Sequence, residues 1–274
     1  MKKYYFLSGL PRSGSTLLGA LLNQHPDVHC GAISPVLEIM YHTEQYFLSS
    51  EQYQAYPKPE CAQKIISSVI DNFYSDIDKP IVVDKCRAWP NNADRIQRYI
   101  TDDVKIICPV RSVLDILASF ISLIHRNPDE LSYIDKVLIE KGMPLTDDNR
   151  CDYLMSPEGI VDQSLYAFHQ GFAKGVGKNM LLIEYDDLAA NAQTTMNGIY
   201  DWLGVDRFQH DLKNVDNKYR EDDRVYDLKD MHEVRSRVEK IAKPYNQVLS
   251  ASVIDRYQGM DFWRRPKSIT NFIL

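Results

Sequence analysis

Residues 9–16 read Gly9-Leu10-Pro11-Arg12-Ser13-Gly14-Ser15-Thr16. The glycine spacing is that of the phosphate loop G-x-x-x-x-G-K-[ST], whose backbone amides cradle an oxyanion and whose lysine reaches the outer phosphates of a triphosphate. Gly9, Gly14 and Thr16 keep their places, but Ser15 stands where the lysine belongs. Such a loop still offers N–H groups at a helix N-terminus, and Arg12 adds a cation. It has lost the point charge that manages a γ-phosphate, which points away from ATP and toward a 5′-phosphate. The flanks suit a real loop. Tyr4-Tyr5-Phe6-Leu7 fits a buried strand. Leu17, Leu18, Ala20, Leu21 and Leu22 predict a helix that Asn23 and Pro26 close.

Working outward, Ile81-Val82-Val83 predicts a second strand with Asp84-Lys85-Cys86-Arg87 at its C-terminal end, and Lys105 to Val110 a third that ends at Arg111. A helix with Val113, Leu114, Leu117, Phe120, Ile121 and Ile124 on its apolar face follows. Met180 to Glu184 predicts a fourth strand, and a helix from about Leu188 to Leu203 stops at Gly204. Strands alternating with helices imply an α/β fold: a central parallel sheet with helices on both faces, like that of P-loop nucleotide hydrolases. Ligands bind beyond the carboxyl ends of such strands, where Gly9, Lys85, Arg111 and Tyr185 all fall. Residues 1–274 are read as one domain, with a helical insertion over the site at about 127–162, a solvated charged loop from Lys213 to Arg224, and a helical C-terminal part from Asp227 to Arg265. Trp263 is read as a packing plug.

The formal net charge of −6 argues against a surface that coats nucleic acid, although local arginines can still hold an anion. Five scattered cysteines, with no C-x-x-C and no cysteine–histidine spacing, predict reduced thiols in a cytoplasmic protein and no metal site. No stretch is long enough to span a membrane. The acceptor pocket and the oligomeric state are not legible.

With these segments in place, the chain resembles the sulfotransferase family that uses 3′-phosphoadenosine 5′-phosphosulfate (PAPS). Arg12, Ser13, Gly14, Ser15, Thr16 and Leu17 look like the family's 5′-phosphosulfate loop. Arg111 and Ser119, an arginine ending a strand and a serine eight residues on, look like its 3′-phosphate site; an arginine fork suits a phosphate. Glu184-Tyr185-Asp186-Asp187-Leu188 resembles a segment whose tyrosine lies near the nucleotide. Leu10 to Leu17 followed by Leu21, Leu22 and His25 to Gly31 is most similar to tyrosylprotein sulfotransferases and related bacterial enzymes. The resemblance implies that Lys85 is the catalytic lysine at the transferred sulfuryl group. It also implies a sulfuryl transfer without metal to a hydroxyl acceptor, which could be a phenol, an alcohol, a sugar or a peptide tyrosine.

The chain departs from that pattern at the base. The tyrosine-sulfating enzymes place a glutamate where this chain has Ile33, and small-molecule sulfotransferases place a histidine where it has Arg87. Glu38, His29, His42 and Asp84 are candidates by proximity in sequence, and an acceptor that ionises easily would need little base help. Arg235 and Arg237 are alternative phosphate ligands or charges on a helix surface. Tyr41, His42, Tyr46 and Phe47 line an acceptor pocket or pack a helix. Two other readings stay open: a P-loop small-molecule kinase, and a non-catalytic nucleotide-binding module.

Overall fold

The computed structural model describes residues 2–239 and 244–264; Arg265, included in the C-terminal helical part, lies outside them. Five strands form one sheet: β1 (Lys3–Leu7), β2 (Val28–Ile33), β3 (Ile81–Lys85), β4 (Ile106–Val110) and β5 (Met180–Glu184). Their order is β2-β3-β1-β4-β5, and every pairing is parallel. Four of these strands match the expectation. The additional one, β2, overlaps the motif segment His25 to Gly31.

Alternation along the strands divides the core in two. Tyr4 and Phe6 pack on one face with Val82, Ile106, Cys108 and Leu182, under helices that include Val36–Ser49 and Val113–Arg126. Tyr5 and Leu7 pack on the other face with Val83, Ile107, Leu181 and Ile183, against the helix after the loop, α1 (Ser15–Leu22), and the helix Ala192–Leu203. Successive strand residues point to opposite faces, so a strand with apolar residues throughout must be covered on both. The expected helix from Leu188 is broken: Tyr185–Ala190 and Ala192–Leu203 are separate, with Asn191 between them, and Gly204 closes the second at φ 70°.

The chain leaves β1 toward β2 and β3 on one side and later reaches β4 on the other. The switch point therefore lies between the C-terminal ends of β1 and β4, where open α/β sheets bind ligands. Pairing of β1 with β4 ends at Leu7 opposite Ile107. Hydrogen bonding to β4 continues past that pair, with Ser8 N donating to the Ile107 carbonyl at 2.8 Å, and Pro109, which has no N–H to give, sits near the end of the strand. Its carbonyl accepts from Leu10 N at 3.0 Å and from Ser13 Oγ at 2.9 Å.

Asp84 is fully buried near the end of β3, and its carboxylate accepts from Ser34 Oγ, Tyr74 OH (2.8 Å) and Trp89 Nε1 (2.8 Å). Burial pushes its carboxyl above the usual range, against those three donors. The group is a buttress under Lys85 rather than an available base. Asp84→Ala would strand three buried donors, each worth about 1–3 kcal/mol when left unsatisfied. Urea denaturation is expected to show a loss of several such units, and an unchanged midpoint would refute the buttress.

The insertion at 127–162 contains the helices Tyr133–Glu140 and Asp147–Leu154 and runs into Ile160–Ala173. It packs against the helix Val113–Arg126 and the C-terminal helix Ala251–Tyr257. None of its residues lines the large cavity at the switch point. That wall comes instead from residues 230–239, in which no helix forms. Trp263 is buried as a plug and donates Nε1–H to Glu184 at 3.2 Å, beside an Arg264–Glu184 ion pair at 2.7 Å.

Candidate active site

The loop between β1 and α1 is shaped by its glycines. Gly9 sits at φ 105°, where a Cβ would lie 2.5 Å from the Pro109 carbonyl oxygen; Gly14 sits at φ 89°, where one would meet the Tyr185 ring at 2.9 Å. Both positions require the absence of a side chain. Gly14 caps α1 in the left-handed conformation without a side-chain hydrogen bond, and the first turn holds no acidic residue. The first amides of α1 are thus left for an anion, with the helix dipole behind them.

An open cavity of about 690 Å³ lies over this helix end. Eight of the sequence-predicted residues line it: Arg12, Gly14, Ser15, Thr16, Leu17, Arg111, Ser119 and Tyr185. Arg12 bridges its parts. Its Nε donates to Ser119 Oγ at 3.2 Å and its NH1 to the Met231 carbonyl. Ser119 accepts that bond and so keeps its own O–H for a further partner. Arg111 donates NH1–H to the Arg12 carbonyl at 3.2 Å and lies over the Tyr185 ring at 4.5 Å. Among the described residues its buried Nε finds no hydrogen-bond partner. Burial, reinforced by Arg111 and Arg126, pushes the Arg12 guanidinium down to about 10. Crowded cations, an orphaned donor and a bare helix N-terminus fit a ligand carrying more than one phosphate or sulfate group.

Two predicted residues stand apart from this wall. The Ser13 hydroxyl is committed to the Leu10 and Pro109 carbonyls, so its side chain shapes the loop and only its amide is available to a phosphate. Lys85 is buried at the end of β3, in register with Leu7 and Ile33. Its Nζ pairs with Glu221 Oε1 at 2.9 Å, the two side chains being 10% and 6% exposed.

That pair corrects the reading of Lys213 to Arg224 as a solvated loop. Glu221 Oε1 also accepts from Ile33 N at 3.3 Å, at the position where a glutamate was missing. Its Oε2 accepts from Tyr226 OH at 3.2 Å and lies 3.3 Å from His232 Nε2. His232 in turn places Nδ1 2.6 Å from Asp223 Oδ1. Burial alone would raise the Glu221 carboxyl, but Lys85, His232 and the Ile33 amide hold it below the usual range. Burial pushes His232 down, against the pull of Glu221 and Asp223. Arg87 lines the cavity nearby, and burial lowers it while Glu221 opposes the shift.

The other base candidates lie elsewhere. Glu38 and His42 form an exposed pair at 3.7 Å on the helix Val36–Ser49. His29 is buried between the rings of Tyr74 and Tyr219. Tyr41, His42, Tyr46 and Phe47 do not line the cavity; Phe47 packs on the core and on Tyr53. Arg235 and Arg237 do line it, on the irregular segment rather than a helix. Glu221, Asp223 and His232 were missed because no spacing in a polar run marks them.

Residues 5–210 match the sequence model of the Sulfotransferase family. The chain belongs to this family. A curated relative, Protein-tyrosine sulfotransferase A of Caenorhabditis elegans, is 23% identical over 209 residues, which cover 74% of this chain and 50% of the relative. Protein-tyrosine sulfotransferase of Drosophila melanogaster is 43% identical over 47 residues, 17% of this chain and 9% of its own length. The chain therefore spans half or less of the length of these relatives. Among solved structures, the Sulfotransferase Domain from the Curacin Biosynthetic Pathway aligns with 93% of this chain and 97% of its own at 16% identity, with a TM-score of 0.49. The loop at 9–16 and the pair Arg111 and Ser119 lie inside the matched segment. Glu221, Asp223 and His232 lie beyond it. Among the described residues no helix is long and apolar enough to cross a membrane.

Proposed function

We propose that the chain transfers the sulfuryl group of PAPS to a hydroxyl acceptor, and that a phenol, the functional group of tyrosine, is the first acceptor to try in view of the curated relatives. The observation that carries this reading is the convergence of the uncapped α1 N-terminus with the Arg111 and Ser119 wall in one cavity, beside a buried lysine at the end of β3. The Arg12–Thr16 loop would hold the 5′-phosphate of the donor, and Arg111 with Ser119 its 3′-phosphate. The absence of a loop lysine at Ser15 suits a donor that has no γ-phosphate.

Like phosphoryl transfer, the chemistry asks mainly for in-line positioning and for stabilisation of charge on the leaving group. Lys85 supplies the charge. A lysine ammonium has three donors, so the bond to Glu221 leaves two for the departing phosphate. The acceptor oxygen forms a bond to sulfur as the sulfur–oxygen bond to the phosphate breaks, and the hydroxyl proton must leave. The cytoplasmic reading is supported by five cysteines that are all free thiols, Cys30, Cys108 and Cys151 among them buried.

The test is calorimetric titration with 3′-phosphoadenosine 5′-phosphate, with and without Mg²⁺, against Mg-ATP. Tight binding of the bisphosphate that needs no Mg²⁺ is expected. A preference for Mg-ATP would replace sulfuryl transfer by a kinase activity. Bisphosphate binding without any transfer from PAPS would favour a non-catalytic module.

A further inference from the structure

Building on sulfuryl transfer at Lys85, we propose that Glu221 and His232 together form the general base of this site, with Asp223 positioning the histidine. The proposal assigns a proton acceptor to a chain that has neither base expected from its motifs.

The argument starts from the tautomer of His232. Its Nδ1 lies 2.6 Å from Asp223 Oδ1, a distance that requires a proton between them, and a carboxylate has none to give. In a neutral ring that proton sits on Nδ1, which leaves the lone pair of Nε2 facing Glu221 Oε2 at 3.3 Å. Two acceptors then oppose each other inside the protein, where the side chains of His232 and Glu221 are 8% and 6% exposed. Such a contact is unfavourable until a proton enters it. The pair is a built vacancy for one proton.

Its surroundings prepare it to fill. Asp223 also accepts the backbone N–H of His232 at 3.1 Å, fixing the ring, and its charge would stabilise an imidazolium. Glu221 is faced by Lys85, Tyr226 and the Ile33 amide as well as by His232, with Arg87 nearby. Those contacts lower the Glu221 carboxyl below its usual range, and burial lowers the His232 imidazole against the pull of the two carboxylates. Glu221 also bonds directly to Lys85, so the proton acceptor and the charge for the leaving group share one place.

The step balances without a co-reactant. The acceptor oxygen forms its bond to sulfur, the bridging oxygen leaves with the phosphate and Lys85 as its partner, and the hydroxyl proton passes to Glu221 and rests on His232 Nε2. A carboxylate oriented by a lysine and backed by a histidine–aspartate couple follows the logic of a base oriented by a third group.

The test compares wild type, Glu221→Gln and His232→Asn with PAPS and two phenols: 4-methylphenol, which is un-ionised at neutral pH, and 4-nitrophenol, which is substantially ionised. General-base catalysis contributes about 10²–10⁴-fold. Glu221→Gln is expected to lose that factor in kcat/KM with 4-methylphenol and a far smaller one with 4-nitrophenol. The fall in wild-type rate at low pH should disappear in the variant, because protonation of the Glu221–His232 pair causes it. His232→Asn should show the same contrast between phenols in weaker form. Retained bisphosphate affinity shows that each variant is folded. Equal losses with both phenols would reduce Glu221 to a structural partner of Lys85, and a gain in rate would make it a latch; either result overturns the proposal. A wild type that transfers to neither phenol would sink phenol sulfation itself and the base with it, whereas an active wild type beside an undiminished Glu221→Gln sinks the base alone.

Discussion

Lys85→Ala is expected to lower kcat for sulfuryl transfer by about 10²–10³-fold, the usual cost of removing one preorganised donor to developing charge. Affinity for 3′-phosphoadenosine 5′-phosphate should change little. The reason for the split is positional. Lys85 ends β3 beside Leu7 and Ile33, apart from the cavity wall formed by the loop, Arg111 and Ser119. In the proposed role its charge would matter most when negative charge grows on the departing phosphate, so an effect on rate should exceed any effect on binding. The substitution also leaves Glu221 without its ion-pair partner, and breaking a buried pair from one side costs about 3–5 kcal/mol. Part of that cost is relieved here because His232 can take a proton and become the missing cation. Rates should therefore be measured below a melting temperature determined for the variant itself. Full activity in Lys85→Ala would remove the lysine from the mechanism.

Arg111→Ala is expected to weaken the bisphosphate by about 30- to 1,000-fold, corresponding to about 2–4 kcal/mol for a forked, charged contact. The loss should be specific to one group of the ligand. Adenosine 5′-phosphate, which lacks the 3′-phosphate, should bind wild type and variant alike, and the difference between the two ligands measures the coupling of Arg111 to the 3′-phosphate. A uniform loss with both nucleotides would mean that Arg111 only braces the loop through the Arg12 carbonyl and the Tyr185 ring.

The parts of the site that could be read in advance are those whose chemistry is local. The loop at 9–16 declares itself through glycines at fixed spacing, and Arg111 with Ser119 through a strand end followed by a helix. Strand β2 escaped because Val28-His29-Cys30-Gly31 shows no clean alternation, and its register with β3 shifts between Cys30 and Ile33. The role of Ser13 escaped because its hydroxyl is claimed by Pro109, 96 positions away. Glu221 escaped for the same reason on a larger scale: its partner Lys85 is 136 positions away. Polar runs carry no periodicity from which such pairings can be inferred, and a charge with a distant partner looks like any solvated one. The insertion at 127–162 suggested a cover by its length and polarity, whereas its helices pack against Val113–Arg126 and Ala251–Tyr257 and none of its residues lines the cavity.

The wall formed by residues 230–239 has a bearing on the order in which the molecule is made. The loop, β3, Lys85, β4 and Arg111 all emerge from the ribosome within the first half of the chain, and Ser119 follows at once. The carbonyl of Met231 that holds Arg12, the carboxylate that holds Lys85 and the arginines at 235 and 237 come about a hundred residues later. A chain grown only through β4 therefore holds Lys85 without its carboxylate partner and Arg12 without the Met231 carbonyl. The site described above is complete only when the segment from Glu221 to Arg237 has been added to the sheet that carries it.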